Sequence, residues 1–204
     1  CMLYAISSFR PARDRTEFHL DAFGRLPVVS QGRIKPMDTL ARTSLMILSN
    51  KQTMWLKGEH GTSDRERKAG HTKTLAIEWL LNVITRPSQA RNYEIVRIDH
   101  PDVLSLLHAT TDRKYFSIEE IMAHQEELNH QFDLAQGIDR NDWTPFQRQL
   151  MNLHEKLGLY FSLEDVGGLL TIPPTPGAEW TSIDALRSGA GATTEATAYA
   201  ASLF

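Results

Sequence analysis

The sequence predicts an α+β fold, mainly helical, with a few short strands. Three observations carry this. Two segments, about 118–136 and 145–160, each open on a helix-capping pattern and continue with apolar residues at helical spacing. Residues 74–85, TLAIEWLLNVIT, are apolar on nearly every side and read as a buried helix. Residues 26–35, LPVVSQGRIK, read as strand, turn and strand, giving a β-hairpin near 26–36.

Taken in order, Val28 and Val29 favour an extended backbone, and Ser30-Gln31-Gly32 makes a tight turn in which glycine is free to take positive φ. Pro36 ends the second strand. Asp38 or Thr39 then caps a helix from about Leu40 to Leu48, closed by Ser49-Asn50. Residues 58–73 read as a charged loop punctuated by glycine. The buried helix follows from Thr74 and stops at Arg86-Pro87-Ser88. Residues 94–98, EIVRI, read as a short strand. Asp99 and Pro101 then open the short helix DVLSLLHA.

Ser117-x-x-Glu120 is a capping box. The helix behind it places Ile118, Ile121, Met122, Leu128, Phe132 and Ala135 on one stripe. Thr144-Pro145-Phe146-Gln147 is a second box, with proline at the first helical position. Its helix carries Phe146, Leu150, Leu153, Leu157 and Tyr160. A polar loop around Gly137 joins the two into an amphipathic helical hairpin. GGLLTIPP is a further short strand, and Ser182 caps a last turn, IDAL.

The chain has 204 residues, enough for one domain with loose ends. Residues 18–187 read as a single soluble domain and 188–204 as a flexible, small-residue tail. Residues 1–17 read as the remnant of a membrane-proximal segment, since CMLYAI resembles the last turns of a membrane helix before a polar exit. The net charge is −3, so no basic field draws in nucleic acid. Cys1 is the sole cysteine, which excludes an internal disulfide and a CxxC metal or redox pair. No stretch approaches the roughly 18–20 apolar residues that span a bilayer.

No nucleophile, phosphate-loop or HExxH motif occurs, so a catalytic activity of its own is not expected. Glu120, His124 and Glu127 fall on one helix face at i, i+4 and i+7. They offer a metal-dependent enzyme as an alternative, although the second Glu-x-x-His that a helical di-metal site needs is missing. The loop Asp64–Lys73 mixes Arg65, Arg67, Lys68 and Lys73 with acids, and reads as a solvated surface or as a docking site for an acidic partner. Of the four tryptophans, Trp79 reads as core. Trp143 and Trp180 lie in polar, proline-rich surroundings, where an indole either packs or contacts a partner.

The motifs LPVVSQGRIKPMDTLAR, YEIVRIDHPDVLSLL and RKYFSIEEI, the Phe146–Tyr160 helix leading to TIPP, and WTSIDAL occur in that order. Over about residues 20–187 this resembles the soluble extracytoplasmic region of membrane proteins in the cytochrome c assembly family, of the haem-handling synthetase pathway called system II. Gly32–Asp38 and His100-Pro101-Asp102 carry the resemblance most strongly. It implies a periplasmic accessory domain, anchored by membrane segments, that helps receive or position apocytochrome c while haem is attached to its CxxCH thiols. The implied partners are that CxxCH segment and the membrane portion. Haem enters through the full-length protein, whose tryptophan-rich motif and helix-flanking histidines are absent here. The residues expected to meet a partner are Arg33, Lys35, Trp143 and Trp180. The alternative is direct haem contact, with His100, His108 or His154 as axial ligand.

Overall fold

The computed structural model describes residues 19–57, 71–165, 169–172, 180–182 and 184–185. The expected remnant at 1–17 and the tail at 188–204 lie outside them. The architecture is mainly helical α+β, with short antiparallel strand pairs among the helices. Contacts divide the chain into two compact units, at Leu40/Ala41 and at Gly168/Leu169.

The first unit opens with α1 (Leu20–Arg25) and the expected hairpin, β1 (Pro27–Ser30) and β2 (Arg33–Pro36). The register pairs Val28 with Lys35, Val29 with Ile34 and Ser30 with Arg33. The turn residues Gln31 and Gly32 stand at φ 55° and 70°, the doubly left-handed pair of a two-residue hairpin turn whose twist matches its strands. The Met37 N–H donates to the Leu26 carbonyl at 2.8 Å and closes the hairpin base. β1 also pairs with β7 (Leu170–Ile172), which pairs with β8 (Thr181–Ser182), so the sheet order is β2-β1-β7-β8. The Ala185 N–H donates to Ser182 Oγ at 3.2 Å, the cap expected at this serine.

Helix α2 (Met37–Ser49) starts one turn earlier than the sequence indicates. Asp38 is therefore a first-turn residue rather than the cap, where its carboxylate complements the helix dipole. Burial explains the shift: Met37, Leu40, Ala41, Ser44, Leu45 and Leu48 are all buried on one continuous stripe, so the helical period begins at Met37. Asn50, at φ 57°, ends the helix as expected, its N–H on the Met46 carbonyl at 2.9 Å.

In the second unit, β3 (Thr53–Lys57) and β4 (His71–Leu75) form a hairpin the sequence did not reveal. Residues 71–73 were expected in a loop, and the helix was expected from Thr74. It begins instead at Ala76, because Thr74 and Leu75 belong to the ladder. Helix α3 (Ala76–Thr85) buries Ala76, Ile77, Trp79, Leu80 and Val83, as a helix apolar on most sides must. After α4 (Pro87–Ala90), the expected strand at 94–98 shrinks to a two-residue ladder, β5 (Val96–Arg97) with β6 (Tyr115–Phe116). Helix α5 (Pro101–Leu106) has proline at its first position.

The first arm of the helical hairpin is broken. α6 (Ile118–Met122) and α7 (Gln125–Gln136) flank a turn at Ala123-His124, where His124 leaves helical geometry at ψ 22°. The apolar stripe runs through the break in phase, so its period carries no trace of it. Both capping boxes form, at Ser117/Glu120 and at Thr144/Gln147. Helix α8 (Pro145–Glu164) runs a turn beyond the expected end because Leu163 extends its buried stripe. It packs on α3, α5 and α7 and forms the spine of the unit. No described helix is long and apolar enough to cross a membrane.

Candidate functional site

Arg33, Lys35 and Trp180 belong to the first unit. Arg33 and Lys35 lie on β2, one edge of the four-stranded sheet, and Trp180 immediately precedes β8, the opposite edge. Trp143 belongs to the second unit. On β2, Ile34 is 63% exposed between the two cations. The hydrogen-bonding geometry of this strand follows from its register. Ser30 and Arg33 flank a two-residue turn and form the bonded pair there, so Val29 and Ile34 are the next, non-bonded pair. The Ile34 N–H and C=O thus point away from β1, and among the described residues no strand lies on that side.

Trp143 has a structural task that its sequence setting did not reveal. Helix α7 ends at Gly137 without a left-handed cap, and the Ala135 carbonyl there accepts from the Ile138 N–H at 3.2 Å. The Trp143 indole N–H adds to this end of the helix, donating to Ala135 O at 3.0 Å and to Ile138 O at 3.1 Å. Arg148 Nε donates to the Trp143 carbonyl at 3.1 Å, and the Arg140 guanidinium stands 5.8 Å from the centre of the indole ring. These residues line an open depression of about 450 Å³ together with Met151, Asn152 and Glu155. The two arginines and Glu155 were missed from sequence. The signal was the 148, 152, 155 polar stripe on α8, opposite its apolar one.

The three candidate haem ligands stand in different surroundings. His108 is exposed in a left-handed turn at φ 50°, its ring edge-on to His124 at 5.3 Å. His154 is exposed on α8 and meets the Phe132 ring edge-on at 4.6 Å. His100 is different. Its side chain is 23% exposed, its Nδ1 is buried without a hydrogen-bond partner among the described residues, and that atom lies 3.9 Å from Asp102 Oδ2. Its ring tilts against Phe146 at 6.3 Å. Phe146 and Asp102 line a second open depression, of about 410 Å³, with Ser105, Leu106 and Gln131. Near His100 in sequence, Asp99 is held below the usual carboxylate range chiefly by its bond from Arg97, and burial pushes the Lys156 ammonium down. Lys156 Nζ donates to the Arg97 carbonyl at 2.8 Å.

The Glu120–His124–Glu127 face is not a face of one helix, because the chain turns between Met122 and Gln125. Glu120 is engaged elsewhere. It accepts from the Ser117 N–H at 2.9 Å and from Arg113 at 2.8 Å. Glu127 accepts from Gln131 at 2.9 Å. Among the described residues no three His, Cys, Asp or Glu side chains gather as a ligand set. Burial by itself would raise the Glu120 carboxyl, but the Ser117 N–H and Arg113 outweigh it and hold the carboxyl below its ordinary 4.5. A lowered folded-state value stabilises the fold at neutral pH, and that contribution is lost as pH falls from about 4.5 through the folded value. Glu120→Gln is therefore expected to cost about 0.5 kcal/mol at pH 7 and to flatten the acid limb of the stability curve, read by urea unfolding against pH.

Trp55 lies on β3, but its side chain is outside the described residues, as is most of the charged loop containing Arg65, Arg67 and Lys68. No family model matches the chain, and no curated protein matches it.

Proposed function

We propose that this chain is an extracytoplasmic accessory domain in cytochrome c maturation, which receives the apocytochrome and positions it for haem attachment. The observation that carries this reading is the ordered set of short motifs over about residues 20–187, strongest at Gly32–Asp38 and His100–Asp102. The geometry supports it in one respect. Gly32–Asp38 forms a hairpin turn, an edge strand and a helix start, and the strand leaves Ile34's polar backbone groups facing outward beside an exposed apolar side chain. Such an edge accepts an extended peptide by strand addition, with main-chain bonds supplying affinity and side chains supplying choice. The CxxCH segment of an apocytochrome is the proposed guest. Pro36 removes a donor at the strand end and limits the free edge to a short stretch.

The test is a titration with a CxxCH peptide. Saturable binding is expected, and Ile34→Pro is expected to abolish it while leaving the fold intact, because the lost N–H is not one that β1 uses. No saturable binding, or undiminished binding by a folded Ile34→Pro variant, contradicts the proposal.

One observation favours a second reading, haem contact at His100. Among the described residues no hydrogen bond commits the His100 Nδ1, since Asp102 Oδ2 stands 3.9 Å away, beyond hydrogen-bond reach, and Phe146 and Leu106 offer apolar surface nearby. Haem titration followed at the Soret band tests it. A saturable, shifted band lost in His100→Ala but kept in His108→Ala and His154→Ala supports this reading. Featureless spectra remove it.

A further inference from the structure

The depression beside Trp143 has a polarity that neither structural packing nor the reading above uses. At one end stand two guanidiniums, Arg140 on the indole ring and Arg148 on the Trp143 carbonyl. At the other stands Glu155, seven residues along α8 from Arg148, which is two helical turns or about 10 Å. Met151 lies between Arg148 and Glu155 along α8, and the indole ring and Asn152, a neutral donor and acceptor, share the lining. Among the described residues, neither arginine nor Glu155 has an oppositely charged partner, although five ion pairs of Arg or Lys with Asp or Glu form elsewhere in the same unit.

We propose that this depression binds an extended peptide segment carrying a carboxylate and, three residues away, a cation. In the extended polyproline II conformation a chain advances about 3.1 Å per residue with three residues per turn, so side chains three apart share one face about 9 Å apart and match the spacing between the arginine end and Glu155. The carboxylate takes charge-assisted bonds from the guanidiniums, whose forked donors suit it. The indole ring and Met151 take the apolar stems between the charges. Glu155 receives the cation and rejects a peptide that is acidic throughout. The inference stands apart from the cytochrome reading: the surface lies in the second unit, whereas the proposed CxxCH edge lies in the first.

The probe is a capped Glu-Ala-Ala-Lys peptide, titrated into the full chain at low salt. The readout is the Trp143 indole N–H resonance together with the backbone amide of Asn152. A saturable shift of both is expected, weakening as salt is raised. Arg140→Gln is expected to weaken binding roughly threefold to fivefold, as loss of one exposed charge contact does. Arg140→Gln with Arg148→Gln is expected to abolish it. Glu155→Gln is expected to weaken binding of this peptide by a similar factor and to leave Glu-Ala-Ala-Ala unchanged. Arg140 touches only the ring face, so Arg140→Gln keeps the backbone contacts of the loop, and a dispersed Trp143 indole resonance verifies the fold. No saturable shift overturns the proposal. So does full binding by the folded double variant, or equal binding of Glu-Ala-Ala-Glu or of inorganic phosphate, since either result removes the role of Glu155.

Discussion

Trp79→Ala is expected to destabilise the second unit by about 3–5 kcal/mol, the largest effect of any single substitution considered. Trp79 is fully buried on α3, which packs against α8 and against β3 and β4. Truncation removes the transfer free energy of an indole and leaves a cavity where these elements meet. A urea titration should show a lower midpoint with an unchanged slope, because the surface exposed on unfolding scarcely alters. Trp79→Phe sharpens the test. The indole N–H is buried with no hydrogen-bond partner among the described residues. Phenylalanine gives up some volume but also removes that stranded donor, whose desolvation already costs about 1–3 kcal/mol. The loss in Trp79→Phe is therefore expected to stay below about 1.5 kcal/mol. Equal losses in the two variants would show that the indole N–H is satisfied after all.

Arg91→Ala is expected to cost about 1–2 kcal/mol. Arg91 follows α4 and forks onto Glu164 at the end of α8, Nε to Oε1 at 2.9 Å and Nη2 to Oε2 at 2.6 Å. The two partners differ in exposure. The Glu164 side chain is only 12% exposed, whereas that of Arg91 is 41% exposed. Removing the arginine leaves a largely buried carboxylate without its counter-charge, which costs more than the pair itself contributes. Solvent screening on the arginine side keeps the figure at the lower end. Glu164→Gln should cost less, because its amide still accepts one bond. A double-mutant cycle should give a coupling of about 1 kcal/mol, shrinking with added salt.

The parts of the fold that were legible in sequence are those fixed by neighbours within a few residues. The capping boxes at Ser117 and Thr144, the proline-started helices and the Gln31-Gly32 turn all depend on chemistry inside one turn of chain. The buried helix with Trp79 was legible because its apolar residues leave only a narrow polar stripe, Glu78, Asn82 and Thr85. What escaped depends on distant partners or on interruptions that leave no periodic mark. β4 exists because it pairs with β3, and His71-Thr72-Lys73 beside a charged loop reads as more loop. The turn at Ala123-His124 keeps the apolar stripe in phase, so the Glu120–His124–Glu127 face looked continuous. The Arg91–Glu164 fork spans 73 positions and has no local signature.

The candidate sites show the same division. Trp143 was picked out as an aromatic in a polar setting, and it does line a depression. Its indole N–H, however, is committed to the end of α7, which only the fold could reveal. Arg33, Lys35 and Trp180 are close to sheet edges, but to opposite ones, because β1 and β7 fill the middle of the sheet. His100 stands out from His108 and His154 through Asp102, two residues away in the sequence, and through Phe146, which is not near in sequence at all.

The most direct measurement of the central claim is amide hydrogen exchange at Ile34, with and without a saturating CxxCH peptide. In the free protein this amide points away from β1 and should exchange faster than those of Arg33 and Lys35, which face their partner strand. Strand addition predicts a marked slowing at Ile34 and little change at its two neighbours. An Ile34 amide whose exchange is untouched by the bound peptide would contradict the claim that this edge receives the apocytochrome.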